Sequence, residues 1–112
     1  MVSTIQDQEL NDTGWTMLNN TYPTYYRVKH NIVYVVFRLN GGATPSDGQV
    51  LGTLPERWRP ALQIVVPTHN LRGNIMVNLN GEIIISANNA VSGGLNAYMG
   101  ASLSYPANVM PL

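Results

Sequence analysis

The chain has 112 residues, enough for one domain with its own core. Apolar residues make up 45% of it, which argues against disorder, whereas charged residues make up 11%, well below the typical quarter or so. Six basic and six acidic residues give a formal net charge of zero and form no basic run, which argues against nucleic-acid binding. Cysteine is absent, which excludes disulfides and thiol nucleophiles, and no apolar stretch reaches the length of a membrane span.

The low charge also bears on how the surface is covered. A monomer of this size with so few charged side chains would be poorly solvated. We therefore expect identical copies of the chain to cover part of one another's surface. Without disulfides, the stability of so small a domain must come from packing or assembly.

The first 13 residues differ from the rest, because they hold three of the six acidic residues and little that is apolar. We interpret 1–13 as a linker or the end of a stem, and 14–112 as a head domain. From Gly14 onward, short apolar runs alternate with Gly, Asn and Pro, and helical spacing is never sustained. This pattern predicts several short strands in a sandwich or barrel. A first strand is expected at Trp15–Leu18, with Trp15 in the core.

The first strong strand pair is Thr24–His30 with Ile32–Leu39, joined by a turn at His30-Asn31. Such a two-residue turn needs positive φ at both positions, which Asn and His tolerate better than most side chains. This register creates one apolar face that is predicted to lie in the core: Tyr26, Val28, Val33, Val35 and Phe37. The other face mixes polar and apolar side chains, and either half-burial or contact with a neighbouring subunit would explain it: Tyr25, Arg27, Lys29, Ile32, Tyr34, Val36 and Arg38.

Two weaker strands are predicted next, at Val50–Leu54 and Leu62–Val66. Loops rich in glycine or proline separate them from their neighbours at Asn40–Gly48 and Glu56–Pro60.

The second strong pair is Gly73–Leu79 with Glu82–Ser86, around Asn80-Gly81. A two-residue Asn-Gly turn would mix apolar and polar positions on both faces. A three-residue loop, 79–81, with Gly81 in the left-handed conformation, gives a clean apolar face instead. Because a slip of one residue exchanges the two faces, the apolar pattern favours the three-residue loop. The pairs expected on the apolar face are Val77 with Ile83 and Ile75 with Ile85.

The last predicted elements are an exposed tip at Asn88–Gly94 and a strand at Ala97–Tyr105. Tyr98 and Tyr105 would lie on opposite faces of a regular strand, so at least one of them is expected to be exposed. With seven or eight short strands, the chain fits an all-β fold, a jelly-roll-like antiparallel β-sandwich.

Catalytic chemistry has little support in the sequence. Neither His30 nor His69 has a carboxylate at strand or helix spacing, and no G-x-S-x-G is present. Outside the linker the acidic residues are Asp47, Glu56 and Glu82, scattered over separate elements. There is no phosphate-binding glycine loop, metal-ligand cluster or calcium loop. We therefore predict no enzymatic activity, no cofactor and no metal site.

The sequence offers more residues suited to ligand binding than to catalysis, since the chain has two Trp and six Tyr but one Phe. Tyr and Trp combine an apolar ring with a polar tip, which suits sugar rings and wet interfaces. Asparagine is abundant, and its amide both donates to and accepts from hydroxyl groups.

The segment Leu51–Pro60, with the sequence L-G-T-L-P-E-R-W-R-P, resembles a segment of phage and prophage tail proteins of Gram-positive hosts. In their C-terminal domains it has the form L-G-x-L-P-x-x-[YW]-R-P. Gly14-Trp15, 26–35 and 75–83 fit the same pattern, so the resemblance runs from about residue 14 to 105. It implies a trimeric jelly-roll head similar to those of lactococcal-type receptor-binding proteins. Such heads sit at the tail tip or baseplate of the virion and bind a saccharide or glycerol-phosphate polymer of the host cell wall.

The resemblance also suggests which residue types line the sugar pocket: a Trp, a His, an Asp and an Arg. The candidates by type and by predicted loop position are Trp58, His69, Asp47 and Arg72, with Tyr98 as a further aromatic candidate. For the segment around Trp58 we favour a structural interpretation. Two flanking prolines restrict the backbone, and neighbouring arginines would cover the ring, which makes a rigid corner.

Two other functions stay open at this point. One is a trimerisation or docking module of a tail or baseplate protein that binds no ligand. The other is a fragment of a carbohydrate-active enzyme. The partners expected are copies of the chain itself and a bacterial cell-wall polymer, without nucleic acid and without membrane insertion.

Overall fold

The computed structural model describes residues 12–88 and 94–107, and within them the chain is all-β. The strands are β1 (Thr16–Asn19), β2 (Thr24–Lys29), β3 (Ile32–Arg38), β4 (Gln49–Thr53), β5 (Ile64–Pro67), β6 (Gly73–Val77), β7 (Glu82–Ala87) and β8 (Gly100–Pro106), and a 3₁₀ turn spans Glu56–Trp58. All the strands that were predicted are present, with ends that either coincide with the prediction or shift by up to three residues. The predicted tip at Asn88–Gly94 falls mostly outside the described residues.

The strands form two antiparallel sheets. Sheet A has the order β1-β2-β3-β8, and sheet B has the order β4-β7-β6-β5. The two sheets contact each other along both edges, β1 with β4 and β5 with β8, and residues of both contribute to one core. The arrangement is compatible with a β-sandwich. In sheet B, β5, β6 and β7 lie side by side in chain order, and β4, which precedes them in the chain, lies beside β7. This is the strand order of a Greek key.

The first hairpin is confirmed in its register. Val28 pairs with Val33 and Tyr26 with Val35, and the turn residues His30 and Asn31 have φ values of 52° and 63°. The five side chains predicted for the core are all buried. The alternation of apolar residues therefore determined both the register and the buried face of β2 and β3.

The second hairpin is confirmed as well, including its three-residue loop. Val77 pairs with Ile83, and Gly81 has a φ of 88°. The Gly81 amide donates to the Asn78 carbonyl (2.9 Å), and the Asn78 amide donates to the Glu82 carbonyl (2.9 Å). These bonds close the loop around a glycine in the left-handed conformation, as the apolar pattern required.

The prediction that Trp15 lies in the core is wrong. Its side chain is 53% exposed and lies on the outer face of sheet A. Met17 pairs with Tyr25 on that outer face, and since side chains alternate along a strand, Trp15 shares the face with Met17. The inward position of β1 is instead filled by Leu18, at the point where the register with β2 shifts.

The end of the predicted linker contacts the domain. The Thr13 amide donates to the Val28 carbonyl (2.9 Å), and the Arg27 guanidinium donates to both carboxylate oxygens of Asp12 (2.9 and 2.6 Å). These bonds from Arg27, together with one from the Gly14 amide, hold the pKa of Asp12 well below its usual range. Residues 1–11, which make up most of the predicted linker, lie outside the described residues.

The Gly81 loop generates a prediction about stability. A Cβ at Gly81 would stand 2.7 Å from the Leu54 carbonyl oxygen and 2.7 Å from Arg59 Nε, in a backbone conformation that L residues rarely adopt. We expect Gly81→Ala to lower the free energy of unfolding by about 2 kcal/mol or more, measured by urea denaturation. Gly48→Ala shares the positive φ but meets no atom within 4 Å, and Gly42→Ala has neither problem. The expected order, from most to least stable, is Gly42→Ala, Gly48→Ala and Gly81→Ala. Any other order of the free energies of unfolding would contradict the prediction.

Candidate functional site

Three loops meet at one end of the sandwich, where β3 and β5 end and β8 begins. They comprise residues 39–48, 68–72 and 94–99, and we call this region the loop end. Direct backbone hydrogen bonds join them: the Leu39 amide donates to the Met99 carbonyl (2.6 Å), the Gly41 amide to the Ala97 carbonyl (2.8 Å), and the His69 amide to the Gly100 carbonyl (2.8 Å). The loops are therefore tied to one another as well as to the strands.

Asn70 is the side chain that links two of these loops. Its Oδ1 accepts from Thr68 Oγ1 (2.8 Å) and from the Arg72 amide (3.1 Å). Its Nδ2 donates to the Tyr98 carbonyl (2.9 Å) and to Asn96 Oδ1 (3.4 Å). A single amide thus uses both its donor and its acceptor capacity to hold the 68–72 and 94–99 loops together.

Four of the five candidates named from the sequence lie at this end. His69 and Arg72 flank Asn70 in one loop, and Tyr98, which is 63% exposed, lies in the loop that Asn70 contacts. Asp47 is also at this end, where its Oδ1 accepts from the Ala87 amide (2.8 Å). Ala87 pairs with Gly73, the neighbour of Arg72 in the chain. The structure therefore gathers these four residues from three separate loops.

Trp58 lies at the opposite end of the sandwich and is buried in the core. The Arg57 guanidinium lies 4.7 Å from its ring centroid, and the Tyr105 hydroxyl donates to its carbonyl (2.7 Å). Burial raises the pKa of the Tyr105 hydroxyl well above its usual range, so it stays protonated and keeps donating. Trp58 does not fit the ligand role suggested by its type, and its contacts agree with the rigid-corner interpretation of its segment.

Tyr98 and Tyr105 differ in exposure as expected, but for a reason other than the one predicted. Tyr105 is 5% exposed and Tyr98 is 63% exposed. Because β8 begins at Gly100, Tyr98 precedes the strand instead of lying on its second face. Its ring lies against Gly41, where a Cβ would be 3.0 Å from the Tyr98 hydroxyl oxygen.

Beside the loop end is an open groove of about 490 Å³ along the start of β8. Its lining consists of Val36, Phe37, Arg38, Pro67, His69, Gly100, Ala101 and Ser102. Sequence reasoning proposed His69 but missed Arg38 and Ser102. Arg38 was placed on the outer face of a hairpin, and only the pairing of β3 with β8 brings it opposite Gly100.

A second exposed region occupies the outer face of sheet A. A trough of about 290 Å³ is lined by Trp15, Tyr25 and Val36, and a neighbouring one of about 230 Å³ adds Tyr34 and the serines of β8. Met17, which is 50% exposed, lies on the same face. Such a contiguous apolar area is more than an ordinary solvated sheet face requires.

The carboxylates do not gather at one place. Asp47 lies at the loop end, whereas Glu56, in the 3₁₀ turn, and Glu82, at the start of β7, lie at the opposite end. Within residues 12–88 and 94–107, no three side chains of the His, Cys, Asp or Glu type come close enough to hold a metal ion. The described part of the chain also contains no helix that is long and apolar enough to cross a membrane.

The chain matches no family model, no curated protein and no solved structure. The likeness to phage tail heads therefore rests on the sequence pattern alone.

The role of Asn70 can be tested directly. We expect Asn70→Ala to lower the free energy of unfolding by about 1–3 kcal/mol, because the Arg72 amide and the Tyr98 carbonyl lose their partner. Backbone amides of 68–72 and 94–99 should then exchange with solvent faster than in the wild-type protein, by more than any change in β6 and β7, as measured by hydrogen exchange. Asn40→Ala, an exposed asparagine at the same end without a side-chain hydrogen bond in the described part of the chain, is the matched control. Equal exchange rates in the two variants would rule out the linking role.

Proposed function

We propose that this chain is the host-recognition head domain of a phage tail fibre or baseplate protein, which attaches the virion to a saccharide on the bacterial cell surface. The observation that supports this most is the loop end. Three loops held by direct hydrogen bonds present an exposed tyrosine, a histidine and several amide groups on one surface. Surface loops on a rigid scaffold are where binding residues are most often found.

Tyr98 is the residue best placed to contact a sugar ring. Its amide donates to Asn96 Oδ1 (2.9 Å) and its carbonyl accepts from Asn70 Nδ2 (2.9 Å), so the backbone on both sides of the ring is fixed. A ring that is exposed but already positioned loses little conformational freedom on binding. The neighbouring asparagine amides supply donors and acceptors for sugar hydroxyl groups.

The fold is consistent with such a head. The nested pairing of β5 with β6, β4 with β7 and β3 with β8 supports a jelly-roll-like description of the sandwich. A homotrimer belongs to the same proposal and is supported by the low charge of the chain and by the apolar outer face of sheet A.

A second function is favoured by that same outer face: a trimerisation or docking module that binds no ligand. Trp15, Met17 and Tyr34 are exposed there, although large apolar side chains are normally withdrawn from water. Aromatic residues and Met are enriched at the centre of protein interfaces. In this alternative, the face of sheet A is the functional surface, and the loop end has only a structural role.

Binding to cells distinguishes the two functions. We expect the labelled protein to bind host cells or cell-wall polysaccharide, and Tyr98→Ala to weaken that binding by about tenfold or more, since one aromatic contact contributes roughly 1–3 kcal/mol. Tyr34→Ala, which removes an exposed tyrosine from the outer face of sheet A, should leave the binding of a single domain unchanged. Loss of binding in Tyr34→Ala but not in Tyr98→Ala would move the site to sheet A. No binding to any cell or glycan would favour the docking module.

The assembly state is a separate prediction. Native mass spectrometry of the wild-type protein should give the mass of three chains, and Met17→Lys should give single chains because it places a charge in the proposed contact. Lys29→Met, which adds apolar surface near the turn at the far end of β2, should not dissociate the assembly. A wild-type protein that stays monomeric at high concentration would eliminate both the trimer and the docking module.

A further inference from the structure

We infer that the groove between Arg38 and His69 binds an oxyanion, a phosphate, sulfate or carboxylate group carried by the ligand. The inference builds on the proposed function, because it assigns the saccharide to the acidic or phosphate-bearing class. Three features of the groove support it: a guanidinium that has no partner among the described residues, an imidazole in a fixed orientation, and a glycine between them that has no Cβ.

The first feature is the charge of Arg38. Its side chain is exposed and makes no hydrogen bond or ion pair with the described residues. None of the described residues that line the groove is acidic. Arginine stays charged at all ordinary pH values, and its planar fork of N–H donors matches the oxygens of a phosphate or carboxylate. The groove therefore contains a positive charge that nothing in its lining neutralises.

The second feature is the orientation of His69. Its Nδ1 lies 3.2 Å from the Gly100 carbonyl oxygen, which also accepts from the His69 amide (2.8 Å). A carbonyl oxygen can only accept, so Nδ1 carries the hydrogen of this bond. Nε2 is thus the ring nitrogen left to meet a ligand.

The third feature is Gly100, which lies opposite Arg38 in the ladder between β3 and β8. A Cβ at this position would stand 3.1 Å from Arg38 Cδ and 3.3 Å from His69 Nδ1. The backbone of Gly100 is not left-handed, so its conformation alone does not require glycine. The absence of a side chain here lets the arginine and the histidine approach the same point from two sides.

The rest of the lining suits a group larger than a bare anion. Val36 and Pro67 provide apolar walls, and the exposed Ser102 hydroxyl can donate or accept. A volume of about 490 Å³ is within the range of small-molecule sites. The groove therefore fits an oxyanion attached to a sugar- or polyol-sized body, with the charged end between Arg38 and His69.

The experiment is an NMR titration of the 112-residue chain with inorganic phosphate, glycerol phosphate, glucuronate and uncharged glucose. We expect the first three ligands to shift the amide signals of residues 69 and 100–102, and glucose to leave them unchanged. Arg38→Gln should weaken the binding of glycerol phosphate by about tenfold or more, since hydrogen bonds to charged groups contribute roughly 1.5–3 kcal/mol. Lys29→Gln removes the same charge from the same face of sheet A, away from the groove, and should change the affinity little.

Gly100→Ala provides a variant that keeps every charge. If its circular dichroism spectrum is unchanged, we expect weaker binding of glycerol phosphate, because the added methyl group displaces Arg38 or His69. Equal weakening by Arg38→Gln and Lys29→Gln, or equal shifts with glucose and glucuronate, would overturn the anion site.

The outcome for the anion site is separable from that of the proposed function. Glycerol phosphate that binds in the groove while the protein binds no cells or glycans would contradict the proposed function and leave the anion site in place. Binding of neutral glycans that depends on Tyr98, without any binding of anions, would support the proposed function and contradict the anion site.

Discussion

The structure depends on the packing of two alternating apolar faces against each other. Val28 and Val33 in sheet A, and Val77 and Ile83 in sheet B, are completely buried between the sheets. Burying such a side chain contributes about 1.5–3 kcal/mol, so exposing five core side chains of this kind would cost about 10 kcal/mol. That is comparable with the whole net stability of a typical domain, about 5–15 kcal/mol. Any slip of register would therefore unfold the sandwich, and the positions of all outward-facing groups follow from this constraint.

The registers that this packing imposes also position the candidate site. With β3 fixed against β8, Arg38 must lie opposite Gly100. His69, which follows β5 at the edge of sheet B, donates its amide to the carbonyl of that same glycine. No flexible segment is needed to bring the two side chains together. The hydrogen bond from Asn70 to the Tyr98 carbonyl then connects the loop that carries His69 to the loop that carries Tyr98, so the groove and the exposed ring belong to one rigid surface.

The elements that were predicted correctly are those whose residues are close together in the sequence. Both hairpins follow from alternation over about a dozen residues and from the turn chemistry of His30-Asn31 and Gly81. Trp15 was misplaced because a large aromatic ring at a strand start suggests burial, whereas the face it occupies depends on how β1 pairs with β2. The groove was only half predicted. His69 and Arg38 meet at Gly100, which the pairing of β3 with β8 places opposite Arg38 and which accepts from the His69 amide. Contacts between residues so far apart in the sequence leave no periodic pattern to detect. Trp58 illustrates the converse, since residue type alone suggested a ligand contact and the packing of Tyr105 and Arg57 around it makes it part of the core.

The two ends of the described chain have an orientation that bears on how the domain could be presented. Asp12 and Thr13 join β2 close to its last residues, and the Ala107 amide donates to the Asn31 carbonyl (2.7 Å) in the turn that follows β2. Both ends of the described segment, at residues 12 and 107, therefore lie at the pole marked by the β2–β3 turn. Tyr98, His69 and Arg38 occupy the other pole, so the proposed binding surface faces away from both ends of the described segment.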